Sequence, residues 1–286
     1  MPDFSCQKLG VGTVQFGQAY GVSNIRGQVL PDEAAAILAR AAEGGVGVLD
    51  TAANYGEAES VLAALDTRPF RIVTKTVSAK HGVDAVVARA RASKAALPRA
   101  DTLLVHAAAD LAVPGLWTAL QRLKAEGVFA RIGISAYVAD DPARLAERFR
   151  PDTMQLPFSL LDQRLLHDGT LARLATLGVE VHARSLFLQG LLLMAPEALP
   201  APLKSAAPHL IALRARLAAA GTTPLAAALG FVLSRSEITV ALVGVTGLDE
   251  FDAILAATAQ PLPALDWQAC ALTDERLLTP SLWNQP

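Results

Sequence analysis

A single-domain (β/α)8 barrel is the fold this sequence predicts, and three observations predict it. Short runs rich in β-branched residues and leucine alternate with amphipathic Ala/Leu/Arg/Glu stretches, which is the pattern of parallel strands joined by helical crossovers. The strand-like runs number eight: 8–13, 46–50, 71–75, 102–106, 131–135, 153–156, 179–184 and 239–243. No Pro/Gly/Ser-rich linker divides the 286 residues, and about 250 residues is the usual size of such a barrel. Residues 1–286 are therefore expected to form one unit.

Helix signals fill the gaps in order. Asp32-Glu33 opens a stretch with Ile37, Leu38 and Ala41 on one face before Gly44-Gly45 ends it. Pro114 precedes Leu116, Leu120 and Leu123, with Gly127 as the stop. Asp141-Pro142 reads as an N-cap followed by proline in the first turn. Leu171, Leu174 and Leu177 give a further helix closed by Gly178, and Leu225 to Leu233 is an Ala-rich helix segment. Three long stretches stay irregular: 14–30, 186–208 and the tail after Gln260. Loops of that length tend to shape binding sites. A doubly wound dinucleotide fold would need a G-x-G-x-x-G turn after the first strand, but Gly10-x-Gly12 is followed by Gly17 and by no helix pattern.

Composition narrows the function classes. Apolar residues make up 52% and charged residues 18%, with mean hydropathy +0.35, so the chain has ample core and no disorder signature. The 25 basic and 27 acidic side chains do not make the basic surface that a nucleic-acid partner requires. Cys6 and Cys270 stand far apart in no C-x-x-C pattern, which argues against a disulfide framework or thiolate metal site. The first residues lack a signal-peptide pattern and no apolar run reaches a bilayer span. A cytoplasmic protein with no membrane partner is expected; no sequence feature specifies its oligomeric state.

In a barrel of this kind the chemistry lies at the C-terminal ends of the strands. Asp50 ends the second strand, with Tyr55 in the loop after it; Lys75 ends the third and His106 the fourth. Each has a plain structural explanation on its own: Asp50 as a helix cap, Tyr55 as loop packing, Lys75 and His106 as paired polar ends of buried strands. Together they form a coherent set. An ammonium beside a phenol favours the phenolate. Asp50 would keep Lys75 charged in a dry site, and His106 would hydrogen-bond the same substrate oxygen that Tyr55 protonates. The set suits reduction of a carbonyl, with a hydride carrier supplying the other half.

Asp50-Thr-Ala-Ala-Asn-Tyr55-Gly-Glu-Ala-Glu59 resembles the D-T-A-x-x-Y-G-x-x-E motif of the aldo-keto reductase family, and Lys75 and His106 fall where the remaining tetrad members belong. Leu9-Gly-Val-Gly-Thr13, Lys124-x-x-Gly127, Ile132-Gly-Ile-Ser135, Gln155, Ser185-Leu-Phe-Leu-Gln-Gly-Leu191 and Val243-Gly244 extend the likeness over nearly the whole chain. The resemblance implies a metal-free barrel that binds NADP(H) or NAD(H) in extended form and reversibly reduces a small aldehyde, ketone or sugar. It assigns Tyr55 as general acid, Lys75 and Asp50 as its tuning pair and His106 as the carbonyl-orienting group. It assigns the cofactor to Ser135, Gln155, Arg184, Ser185, Leu186, Gln189, Gly190, Gly244, Thr246 and Glu250, with Ser135 and Gln155 on the nicotinamide carboxamide.

Three departures accompany the likeness. Ala136 follows Ser135 where the family often has Asn, and Arg184 stands where it often has a Tyr stacked on the nicotinamide. The segment 244–252 has no basic side chain, whereas NADPH-preferring members usually carry Lys or Arg there for the 2′-phosphate. Asp249 and Glu250 also have a simpler role as acids complementing a helix dipole. The expectation is dual cofactor use or a modest lean to NAD(H), unless a distant basic residue such as Lys204 or Arg235 folds over the adenosine. Pocket walls are expected from 14–30, from Trp267 and Trp283 in the tail, and from Trp117 or its neighbours, though Trp117 is better explained as helix packing. The alternative reading is a non-catalytic barrel whose bound nucleotide reports redox state to a protein partner. A barrel hydrolase or isomerase is disfavoured, because the strand ends show neither a His-x-His pair nor two catalytic carboxylates.

Overall fold

Eight parallel strands close into a barrel in chain order: β1 Leu9–Gly12, β2 Val48–Asp50, β3 Arg71–Lys75, β4 Ala100–Val105, β5 Arg131–Ser135, β6 Thr153–Pro157, β7 Glu180–Arg184 and β8 Val240–Gly244, with β8 pairing back to β1. The computed structural model describes residues 6–283, without the side chain of Cys6. The readings made of residues 1–5 and of the Cys6 thiol lie outside the described residues.

Strand alternation sorts the side chains into two cores. Leu49, Ile72, Leu103, Ile132, Ile134, Met154, Val181 and Val243 face outward into the main core beneath the helices. Val48, Val73, Leu104, Val240 and Leu242 form a separate cluster inside the barrel. Gly133 is required there: a Cβ on it would come within 2.2 Å of the Thr153 carbonyl oxygen and 2.5 Å of Leu104.

The surrounding helices are α1 Val14–Gly17, α2 Pro31–Glu43, α3 Ala58–Ala63, α4 Val83–Ala96, α5 Leu116–Ala125, α6 Pro142–Phe149, α7 Arg164–His167, α8 Thr170–Thr176, α9 Ala207–Ala219, α10 Pro224–Leu233, α11 Leu248–Thr258 and α12 Glu275–Leu278. Their starts follow the sequence signals. Pro31 leads α2 with Asp32 and Glu33 in its first turn, and Asp141 Oδ1 accepts from the Arg144 amide at 3.2 Å to cap α6. The apolar run in α10 is explained by burial of every residue from Ala226 to Leu233. Among the described residues no single helix is long and apolar enough to cross a membrane.

Several boundaries shift. β4 stops at Val105, so His106 is the first residue beyond it, and β2 begins at Val48, two residues later than expected, after the Gly44–Gly45 turn. The stretch 14–30 contains α1. The stretch 186–208 contains 3-10 turns and the start of α9, and the tail contains two 3-10 turns with α12 between them. Trp117 packs edge-on against Phe149 at 5.4 Å, as helix packing. Trp267 lies 5.8 Å from Phe231, and Trp283 is buried with its indole N–H directed at the carbonyls of Arg276 and Leu277 at 3.1 and 3.2 Å. Trp267 thus ties the tail to α10 and Trp283 closes the tail on itself, and none of the three tryptophans lines the main cavity.

The N-terminal end of the barrel is closed by charge. Glu180 opens β7 and pairs with Arg71, which opens β3, and with Arg131, which opens β5, at 3.3 Å. Arg131 also reaches Asp101 at 2.7 Å, and His182 Nε2 lies 2.8 Å from Glu180. Burial alone would push the Glu180 carboxyl up, but His182 and Arg71 hold it well below the usual carboxylate range.

Candidate active site

At the opposite end the same alternation turns Asp50 and Lys75 inward. Lys75 Nζ donates to Asp50 Oδ2 at 2.7 Å and to the Thr51 carbonyl at 2.8 Å, while Gln155 Nε2 donates to Asp50 Oδ1 at 2.6 Å. Lys75 is 1% exposed and Asp50 5%, so each charge persists only through the other. Burial works against the ammonium, but Asp50 and then Tyr55 outweigh it, and Lys75 titrates above the ordinary lysine value.

Tyr55 sits in the turn between β2 and α3, its ring centroid 4.7 Å from Lys75 Nζ. Two glycines let this turn press against α1. A Cβ on Gly17 would lie 1.8 Å from the Tyr55 carbonyl oxygen, and one on Gly56 would lie 2.2 Å from the Gly17 carbonyl oxygen. Gly56 also has φ +52°, a left-handed conformation that favours glycine. Behind the turn, buried Glu59 accepts from Thr74 Oγ1 at 2.6 Å and Ser93 Oγ at 3.0 Å and pairs with Arg89, which ties α3 to β3 and α4.

His106 meets Tyr55 edge-on, with ring centroids 5.7 Å apart at 82°. Its backbone N–H donates to Thr76 Oγ1 at 3.2 Å. Burial and the Lys75 charge push the imidazole down to about 4, so at neutral pH it is uncharged and able to donate one ring hydrogen. Its Nδ1 is buried with no partner.

These rings open into a cavity of about 540 Å³ at the C-terminal ends of the strands, a size typical of a small-molecule site. Asp50, Tyr55 and His106 line it, as do Ser135, Gln155, Arg184, Ser185, Leu186, Gln189, Gly190, Gly244, Thr246 and Glu250. Lys75 lies beneath the floor. In the β7 loop Ser185, Leu188 and Gln189 all have positive φ, at 63°, 49° and 52°. Strained non-glycine backbone of this kind clusters at ligand sites.

The Aldo/keto reductase family model matches residues 8–275. The chain belongs to the aldo/keto reductase family. Members of this family are NAD(P)H-using oxidoreductases that act on small-molecule carbonyl compounds. Among solved structures, the aldo-keto reductase AKR11C1 from Bacillus halodurans in its holo form is similar at TM-score 0.72 and 22% identity, over 97% of this chain and 94% of that one. An aldo/keto reductase from Klebsiella pneumoniae in complex with NADP and acetate matches at TM-score 0.66 and 20% identity, covering 92% and 89%. Aldose reductase from Giardia lamblia matches at TM-score 0.66 and 18% identity, covering 92% and 91%. At these identities the likeness is one of fold. No curated protein matches the chain.

Within this family barrel four features differ from the sequence expectation. One N–H of the Gln155 amide is committed to Asp50, so its carbonyl and one remaining N–H are left for a carboxamide. Arg184 stacks on Tyr137, its guanidinium carbon 4.3 Å from the ring centroid, and donates to the Ala136 carbonyl at 3.2 Å. One face of the guanidinium is therefore already covered. Thr246, assigned to the cofactor, has both its N–H and its hydroxyl donating to Glu250, at 2.7 and 2.9 Å. Finally, the segment at the start of α11 does have a basic neighbour. Arg26, from the β1–α2 loop, holds Asp249 in a bidentate pair at 2.6 and 2.7 Å. Neither Lys204 nor Arg235 fills that place: neither lines the cavity, and Arg235 stacks on Phe231 just before β8 begins, at the other end of the barrel.

Sequence reasoning did not find Gln15, Tyr20, Tyr137 or Arg26. Tyr137 had a usable signal, two residues past the end of β5. Gln15 is buried in α1 beside Gly244, and its Oε1 has no partner. An unpartnered buried carbonyl on the wall of a cavity that runs from Tyr55 to α11 fits a polar, extended ligand such as a dinucleotide.

Proposed function

We propose that this aldo/keto reductase reversibly reduces the carbonyl of an aldehyde, ketone or sugar, with Tyr55 as general acid in reduction and general base in oxidation. The carrying observation is the Tyr55 ring set 4.7 Å from the ammonium of a buried Lys75–Asp50 pair. A bound nicotinamide supplies or accepts the hydride. Ser135 and Gln155 would hold its carboxamide, with Ser185, Leu186, Gln189, Gly190 and Gly244 along the extended molecule and Thr246 and Glu250 at its far end. The chain's own groups manage the proton. His106, neutral and beside Tyr55, donates to the carbonyl oxygen and orients it. As charge develops on that oxygen, the Tyr55 hydroxyl transfers its proton to it. The phenolate left behind is stabilised by Lys75, whose charge Asp50 maintains, and it recovers a proton from solvent.

Dual cofactor use, or a modest preference for NAD(H), belongs to the same proposal. Arg26 is neutralised by Asp249 and Arg40 by Asp252. Glu33 accepts from the Leu248 amide at 2.6 Å and Glu250 from Thr246, so a 2′-phosphate would arrive among carboxylates. A reducing, cytoplasmic setting is the compartment we infer, because the two cysteines, Cys6 and Cys270, stand far apart in the sequence in no disulfide-framework pattern.

The Tyr55→Phe variant tests the reading. Loss of about 10² to 10⁴ in turnover is expected, with cofactor dissociation constants nearly unchanged by calorimetry. A variant keeping more than half the turnover would refute the role of Tyr55.

A further inference from the structure

The cavity wall carries three charged side chains among the described residues: Asp50, Arg184 and Glu250. Asp50 is answered by Lys75. Glu250 lies at the α11 end, bound to Thr246. Arg184 alone has no carboxylate within ion-pairing distance among the described residues. Its five N–H donors are only partly used, by the Ala136 carbonyl at 3.2 Å and Ser185 Oγ at 3.5 Å.

Its position is set by structure on two sides. Arg184 is the last residue of β7, level in register with Pro157 of β6, and the Tyr137 ring under its plane fixes its tilt. The guanidinium is close enough to His106 to help lower the imidazole's proton affinity. The cation therefore lies at the chemical end of the cavity, away from the α11 end. A partly desolvated cation held rigidly without a counter-ion is costly for folding alone, and its cost is recovered when an anion binds.

Building on the carbonyl-reduction reading, we propose that the substrate is an oxo acid, its carboxylate bound by Arg184 while its carbonyl lies between Tyr55 and His106. One unpaired positive charge balances one carboxylate. A phosphate monoester, near two negative charges at neutral pH, would leave one unanswered in a cavity that offers no second free cation among the described residues. Tyr137, 45% exposed at the mouth, and Tyr20, which accepts from the Gln189 amide at 3.1 Å, add hydroxyls that suit a polar substrate.

The test compares short ω-oxo carboxylates with uncharged aldehydes of matching chain length and with a phosphorylated aldehyde, on the intact protein with either reduced cofactor. The quantity read is the kcat/KM ratio of anionic to neutral substrate, so any general loss through cofactor contacts cancels. A ratio on the order of 10- to 100-fold in favour of the oxo acid is expected, as for a hydrogen bond to a charged group. Arg184→Met should bring the ratio near one, and Arg184→Lys should keep part of it. A wild-type ratio at or below one, a ratio unmoved by Arg184→Met, or a phosphorylated aldehyde that outperforms the oxo acid would each overturn the proposal.

Succinate, which has no carbonyl to reduce, separates this proposal from the one it rests on. Calorimetric binding of succinate to the protein saturated with oxidised cofactor, lost in Arg184→Met, supports the anion site even if no carbonyl is turned over. Turnover of neutral aldehydes without succinate binding leaves the reductase reading intact and removes the oxo acid.

Discussion

The two ends of this barrel are built from the same strands and both bury charge, yet they differ in what they leave unanswered. β3 begins with Arg71 and ends with Lys75; β7 begins with Glu180 and ends with Arg184; β5 begins with Arg131 and ends with Ser135. Residues four apart on a strand share a face, so each pair lies inside the barrel at opposite ends. At the N-terminal end Arg71, Arg131, Glu180 and Asp101 all have ionic partners. Unpartnered buried atoms occur at both ends, His182 Nδ1 and Thr153 Oγ1 at the lower one and His106 Nδ1 and Gln15 Oε1 at the upper, but only at the C-terminal end do they face the main cavity, beside an Arg184 with no ionic partner among the described residues. A closed network stabilises the barrel. An open one is completed by a ligand.

The sharpest way to break this contrast is to remove one charge from each end. Lys75→Met should lower turnover by about 10² to 10⁴, similar to Tyr55→Phe and non-additive with it, because both changes act on one proton transfer. A double variant that loses the product of the two single effects would show that Lys75 and Tyr55 act independently. Glu180→Gln should do the reverse. It removes the ionic partner of Arg71 while Arg131 keeps Asp101, which costs about 1 to 3 kcal/mol of stability as a partly buried charged hydrogen bond is lost, while the folded fraction keeps its kcat. Denaturant titration and active-site titration on the same samples separate the two outcomes; a Glu180→Gln enzyme of unchanged stability would show that the lower network is ornamental.

Acid sharpens the comparison next, because the two ends titrate in different windows. His106 falls from 6.5 unfolded to about 4 folded. Its contribution is therefore complete above pH 6.5 and is lost as pH drops toward 4, by up to about 3 kcal/mol. Glu180 is also depressed, from an ordinary value of 4.5. Its contribution is present above that value and is lost only below it. Stability measured across this range should fall in two stages. His106→Gln should flatten the stage between pH 6.5 and 4.5, and Glu180→Gln the stage below it. A decline confined to pH below 4.5 in the wild type would contradict the neutral, buried His106.

How much of this was legible in the sequence follows from the range of the forces involved. Strand and helix positions rest on local periodicity, so the eight strands were found to within a few residues. The ionisable strand ends were legible because a Lys or His closing an apolar run has few places to go. Arg71 and Glu180 gave no such signal, since a charged residue opening a strand reads as solvated. Tyr137 was legible from its place two residues past β5 and was passed over, whereas Arg26 and the loop that carries it were illegible for another reason. The path of that loop is fixed by contacts far along the chain: Ser23 to the Gln189 carbonyl at 3.3 Å, and Arg26 to Asp249, 223 residues away.

The smallest predicted effect concerns that last contact. In the present arrangement Arg26 is fastened to Asp249 at the first turn of α11, and the pair is exposed, so it contributes little to stability. Its effect falls instead on the charge met by a 2′-phosphate. With Asp249 as its partner, Arg26 supplies no net attraction, and NADPH and NADH should bind with similar dissociation constants or with NADH slightly favoured. Asp249→Asn removes the competing carboxylate and frees the guanidinium for a phosphate, its preferred bidentate partner. NADPH affinity should then rise about tenfold relative to NADH, about 1.4 kcal/mol, and Arg26→Ala on that background should cancel the gain. Calorimetry with both reduced cofactors reads this directly. Wild-type protein that already binds NADPH a hundredfold more tightly would mean that Arg26 leaves Asp249 unaided when the cofactor arrives, and that the carboxylates around α11 do not set the preference.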